Sequence, residues 1–110
     1  MQKAPAARES QRPRSTRRFI AEAAAVLVIA AEYARTAKRY GRRAERYVHI
    51  ETGHVAQNVC LQAAASGLGT VVVGAFDDDA TRQALELPPE KAPLALMPIG
   101  RPTSRSARAR

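Results

Sequence analysis

Tryptophan is absent from this 110-residue chain, and sulfur and aromatic rings are scarce: one Cys, two Met, two Phe and three Tyr. The single cysteine, Cys60, excludes an internal disulfide framework. With no signal-peptide pattern at the start, it sets the expectation of a reducing, cytoplasmic setting. Long apolar runs are missing too. The longest, Ala23–Ala31, is closed by Glu22 and Glu32. It falls well short of the ~20 residues a membrane helix needs, so no membrane partner is expected. No metal site is expected either. His49, Glu51 and His54 do not form an H-E-x-x-H motif, and Glu51 lies two residues from His49, on another side of a helix.

Acidic residues are in the minority, giving a net charge of +8, but the excess is not spread evenly. Residues 1–18 carry six basic side chains against Glu9, and residues 101–110 carry four arginines and no acid. Residues 19–100 hold 8 basic and 9 acidic groups, so that part is near neutral in sum. Basic tails give non-specific affinity for phosphates. Strand binders usually interleave aromatics among their cations, and Phe19 is the one aromatic near either tail. A specific nucleic-acid partner is therefore not expected.

Three segments follow along the chain: a Pro-, Ser- and Arg-rich leader at 1–18 without apolar period, a folded part at 19–102, and a basic tail at 103–110. Ala25–Ala31 (AVLVIAA) reads as a strand because Val and Ile dominate and nothing polar interrupts. Thr36–Glu45 is strongly basic and helical, with a break at Gly41. From Tyr47 to about Ser66 runs a long helix with small or apolar residues on nearly every side, the pattern of a buried helix. Gly53 inside it costs about 1 kcal/mol relative to Ala, so something is expected to need the space. Gly67 sits where a C-terminal capping glycine belongs. Thr70–Gly74 reads as a second strand, Asp77–Asp79 as a capped helix start extending to about Leu87, and Pro93–Ile99 as a third strand, at an edge because of Pro98. Gly67-Leu68-Gly69 precedes a strand and is no dinucleotide fingerprint.

Five segments taken in order carry a resemblance: Ala24–Thr36 (AAVLVIAAEYART), Arg39–Val59 (RYGRRAERYVHIETGHVAQNV), Leu61–Ala80 (LQAAASGLGTVVVGAFDDDA), Ala92–Pro102 (APLALMPIGRP) and the Gly74-Ala75-Phe76-Asp77-Asp78 turn. From Phe19 to Pro102 the chain resembles the C-terminal half of the nitroreductase-like flavoproteins, nearest to SagB-type, azoline oxidase-like dehydrogenases. The resemblance implies an α+β fold with a mixed sheet and a long buried central helix, here as a truncated domain. It implies FMN bound at a dimer interface and hydride transfer through the flavin N5. Val73, Gly74 and Ala75 would lie along the isoalloxazine edge, offering backbone N–H groups, and Arg101 and Arg105 would meet the FMN phosphate. The azoline oxidase Lys-Tyr pair corresponds to Arg39-Tyr40. Arginine stays protonated and is a poor base, which speaks against azoline oxidation while leaving Tyr40 able to donate a proton. Arg14–Phe19 (RSTRRF) resembles the family's phosphate-gripping opening motif, though an Arg-rich leader produces such matches by composition.

Two functional readings from different classes follow. The first is an FMN-dependent oxidoreductase acting as a homodimer or with a related chain, on a small-molecule or peptide substrate, with NAD(P)H as a hydride source. The second is a non-catalytic flavoprotein remnant that serves as a protein interaction module, with the small-residue stripe of the central helix as its contact face. His54, Gln57 and Asn58 would orient the flavin or a partner in the first reading, or form a hydrogen-bonded polar inset in a buried helix. Cys60 reads as a small hydrophobe.

Overall fold

The computed structural model describes residue 20 and residues 22–103. The leader, with its Arg14–Phe19 motif, and Arg105 lie outside the described residues. The chain is α+β: β1 (Ala25–Ala31), α1 (Tyr33–Tyr40), a 3-10 turn (Gly41–Arg43), α2 (Ala44–Ala65), β2 (Gly69–Thr70), α3 (Asp78–Ala84) and β3 (Ala92–Gly100).

The three strands form one sheet in the order β1-β3-β2. Both pairings are antiparallel, so the expected mixed sheet is corrected to an antiparallel one among the described strands. β1 runs along the whole of β3, from Ala25 opposite Ile99 to Ala31 opposite Ala92, with a bulge between Ile29 and Ala30. β3 is thus the central strand, and the edge position inferred from Pro98 is also corrected. Leu96 exchanges both backbone hydrogen bonds with Val73, at 2.8 and 3.0 Å. Pro98, two residues on, turns the same edge toward β2. The residue it would pair with in that register is Val71, and proline has no N–H to give. Pro98 therefore costs nothing on the β1 side and breaks the ladder on the other. This is why the expected Thr70–Gly74 strand is reduced to Gly69–Thr70 and an isolated bridge at Val73.

Glycine and aspartate set the element ends. Gly41 adopts φ +57°, a left-handed conformation that suits glycine, and this stops α1. At the other end of α2, Gly67 has φ +75°. Its N–H donates to the Ala64 carbonyl at 3.1 Å and the Leu68 N–H to that of Ala63 at 2.8 Å, a Schellman closure. The Asp77 carboxylate accepts from the Ala80 N–H at 3.1 Å and caps α3. That helix ends at Ala84, earlier than the expected Leu87. The Arg82 guanidinium then ties the following turn by donating to the carbonyls of Pro88, Pro89 and Lys91.

α2 is present as expected, but its burial is one-sided. Ala44, Val48, Ala56 and Ala63 are buried, with Thr52, Val59 and Cys60 half-buried between them. Spacing near 4 places these on one side, against the sheet. Apart from half-buried Tyr47, the rest of the helix is exposed, Ile50 at 50% and Leu61 at 60%. The correction has a simple reason. Apolar composition on every side shows what a helix needs covered, and the described residues cover one side only. The core is correspondingly thin: six of its ten buried apolar residues are alanine, and Met97 and Pro98 are the large, fully enclosed side chains. Replacing the cap with Asp77→Ala should lower unfolding free energy by about 1 kcal/mol, read from the urea midpoint at unchanged slope.

Candidate functional site

β3 and the bridge at Val73 position the first group of candidate residues. Val73 is buried, and both its backbone hydrogen-bonding groups are committed to Leu96. Its N–H is thus not free for a ligand. Gly74 and Ala75 follow, exposed, on the passage from the sheet edge to the Asp77 cap. Gly74 has an ordinary φ, and a Cβ built on it would meet nothing within 4 Å. Neither backbone strain nor packing within this chain calls for glycine there. Among the described residues the space beside Gly74 is open, as it is beside Gly53.

Arg101 and Thr70 line one open cleft where β3 ends, together with Glu22, Val71 and Ile99. Arg101 is exposed. The Thr70 hydroxyl is buried without a hydrogen-bond partner. A buried hydroxyl left unsatisfied costs about 1–3 kcal/mol, so an acceptor entering the cleft beside it would be favoured. Arg101 lines the same cleft as Thr70, and the unpaired hydroxyl is something the sequence could not reveal.

Arg39 and Tyr40 stand at the other candidate position, the end of α1. The Arg39 guanidinium lies 5.6 Å from the Tyr40 ring centre. Tyr40 packs edge-to-face on Tyr47 at 5.0 Å and is 47% exposed. No hydrogen bond, ion pair or ring contact links this corner to Gly74, Ala75 or Arg101 among the described residues. The structure thus brings Arg39 to Tyr40 and Thr70 to Arg101, and leaves the two groups separate within one chain.

A third arrangement escaped sequence reasoning. The Tyr33 hydroxyl lies 2.7 Å from His49 Nε2, with the rings edge-to-face at 5.7 Å. The residues are sixteen apart and join α1 to α2. Alternation within either helix gives no hint of the contact. Burial pushes the Tyr33 hydroxyl above 10.0, and the charges of Glu45 and Asp78 add to the shift. His54, Gln57 and Asn58 are exposed on α2, so they are not an inset within this chain's core. No cluster of three metal-binding side chains occurs among the described residues, and no described helix is long and apolar enough to cross a membrane.

Known proteins share this fold. The nitroreductase family profile matches residues 1–101. A Methanocaldococcus jannaschii protein whose name assigns it to the nitroreductases is 58% identical over 83 residues, 76% of this chain and 41% of that protein. A solved structure from Anabaena variabilis, assigned as a nitroreductase, is 33% identical with a TM-score of 0.68, covering 74% of this chain and 17% of that one. Another from Ralstonia eutropha, similarly assigned, is 28% identical with a TM-score of 0.65, covering 72% and 38%. The chain belongs to the nitroreductase family, and it spans about two fifths of the length of the curated relative it matches.

The folded state holds the Tyr33 proton more tightly than the unfolded chain does. The associated stability is intact below about pH 10 and lost as pH climbs through the raised value. Thermal unfolding of Tyr33→Phe should therefore show a shallower fall of Tm above that pH than the unaltered chain.

Proposed function

We propose that this chain is the C-terminal portion of an FMN-dependent oxidoreductase of the SagB type, working as a dimer or with a related chain that completes the site. Bound FMN would supply hydride transfer at its N5, with NADH or NADPH as the source. Gly74 and Ala75 offer their backbone N–H groups along the ring edge, while Val73 anchors that edge to β3 through Leu96. Arg101 and the Thr70 hydroxyl would donate to the phosphate, which would supply an acceptor for a hydroxyl that has none among the described residues. Arg105 is the second candidate for that phosphate. Tyr40 would donate a proton to a small-molecule or peptide substrate. Arg39 remains charged and holds the ring by a cation–π contact.

The observation that carries the reading is Gly74: an exposed glycine of ordinary φ, with open space where its side chain would stand. The exposed sides of α2 support the dimer. Between Tyr47 and Ala65 the one carboxylate or lasting cation is Glu51, and Gly53 also opens onto empty space. The second reading, an interaction module that pairs with a longer relative should the chain bind no flavin, would use these exposed sides and not the small-residue stripe of Gly53, Ala56, Cys60, Ala63 and Gly67, because Ala56 and Ala63 are buried against the chain's own sheet. A cytoplasmic location suits either.

Titration with FMN, followed by quenching of flavin fluorescence, tests the proposal. Gly74→Leu should abolish binding while Tm stays within a degree or so, because the new side chain meets nothing in the chain. Arg101→Gln should weaken FMN binding roughly tenfold or more while affecting riboflavin little, as loss of a charged phosphate contact requires. FMN binding that survives Gly74→Leu would overturn the assignment of the edge. A chain that takes up no FMN, alone or with a full-length relative, would leave the interaction module.

A further inference from the structure

The near-neutral sum of residues 19–100 conceals a separation of charge. Of its eight basic residues, six fall within residues 35–46: Arg35, Lys38, Arg39, Arg42, Arg43 and Arg46. One acid, Glu45, interrupts them, and the other eight acids of the folded part lie elsewhere. The fold gathers these cations rather than dispersing them. Arg35, Lys38 and Arg39 have the spacing of one face of α1. Gly41 turns the chain, and Arg42, Arg43 and Arg46 lead into α2, which packs against α1. All six are exposed. Arg35 is held by Glu32 at 2.7 Å, and the other five make no ion pair among the described residues.

Two rings sit within this cationic corner. Tyr40 is half-exposed at the turn, with Arg39 against it and Tyr47 at its edge. Like charges gathered without counterions repel one another, so an arrangement of this kind is relieved by an anionic partner. Five of the six cations are arginine, which suits phosphate oxygens. An acidic peptide would satisfy the charges but has no use for the exposed ring. A single-stranded polynucleotide uses both, with phosphates on the cations and a base on the ring. We infer that the α1–α2 corner is a sequence-tolerant docking surface for single-stranded nucleic acid, with Arg42, Arg43 and Arg46 contacting phosphates and Tyr40 stacking a base. The surface shares Arg39 and Tyr40 with the flavin reading but does not require bound flavin, and it is tested without flavin.

The test is fluorescence anisotropy of a labelled oligothymidylate against the full chain over a range of salt. For single strands, each phosphate contact contributes about 0.7 to the slope of log affinity on log salt, or about fivefold in affinity near ~0.1 M salt. Arg42→Gln with Arg43→Gln should therefore reduce the slope by about 1.4 and the affinity by roughly twentyfold. Arg108→Gln with Arg110→Gln removes the same charge from the tail and should cost clearly less. Tyr40→Phe should retain binding, and Tyr40→Ala should lower it by about fivefold or more. Circular dichroism of each variant should match the unaltered chain, since every altered side chain in the fold is exposed. Equal losses from the two arginine pairs would overturn the proposal, because charge alone would then explain binding. So would failure of the unaltered chain to bind, or displacement of the oligonucleotide by octaglutamate at equal charge.

Discussion

The antiparallel pairing of β1 along the full length of β3 is the constraint on which the other elements depend. It makes β3 the central strand and encloses Met97 and Pro98. It leaves β3's other edge to be met by whatever follows α2. On that edge Leu96 can hold Val73, but Pro98 cannot hold Val71. The chain is pinned at Val73, released on either side of it, and delivered as an open Gly74–Ala75 edge to the cap of α3. The same pairing brings the end of β3, with Arg101, beside Thr70 at the start of the broken strand. A missing backbone donor at one proline thus shapes both the open Gly74–Ala75 edge and the cleft lined by Thr70 and Arg101.

The long helix poses the opposite problem. α2 buries alanine and valine against the sheet, and small side chains allow close approach but bury little area. Its remaining sides carry Ile50, Val55 and Leu61 in the open, with almost no charge among them. A monomeric surface of that character is unusual. The chain spans about two fifths of the length of a curated relative, and the proposed pairing would cover this helix with another polypeptide. The basic corner at the start of α2 contrasts with this. Its cations are spaced by helix geometry and solvated; all but Arg35 lack an ion pair among the described residues, and Arg39 meets an aromatic ring at a glycine turn.

Much of this was legible in the sequence, where a local rule decides the outcome. The uninterrupted Val-Ile run defined β1 to the residue. Gly41 and Gly67 marked helix ends because left-handed backbone favours glycine, and Asp77 marked a helix start because a short carboxylate can reach the third N–H beyond it. Pro98 misled because the sequence does not say which way a strand residue turns its N–H, and a proline turned toward a ladder that has already broken sits comfortably in a central strand. The burial of α2 misled because apolar composition reads the same whether the cover comes from its own chain or from another. At the site, the Gly74–Ala75 edge was visible as a pair of small residues after a strand. The unpartnered Thr70 hydroxyl and the Tyr33–His49 contact were not, since both arise from segments that meet only in three dimensions.

The central claim is that the uncharged sides of α2 are a seam between chains. Sedimentation equilibrium of the purified chain, with and without FMN, addresses it most directly. The account predicts a species of twice the 11.9 kDa chain mass, with Leu61→Lys shifting it to the single-chain mass. A well-folded single-chain species over the whole concentration range, indifferent to FMN and to Leu61→Lys, would contradict it.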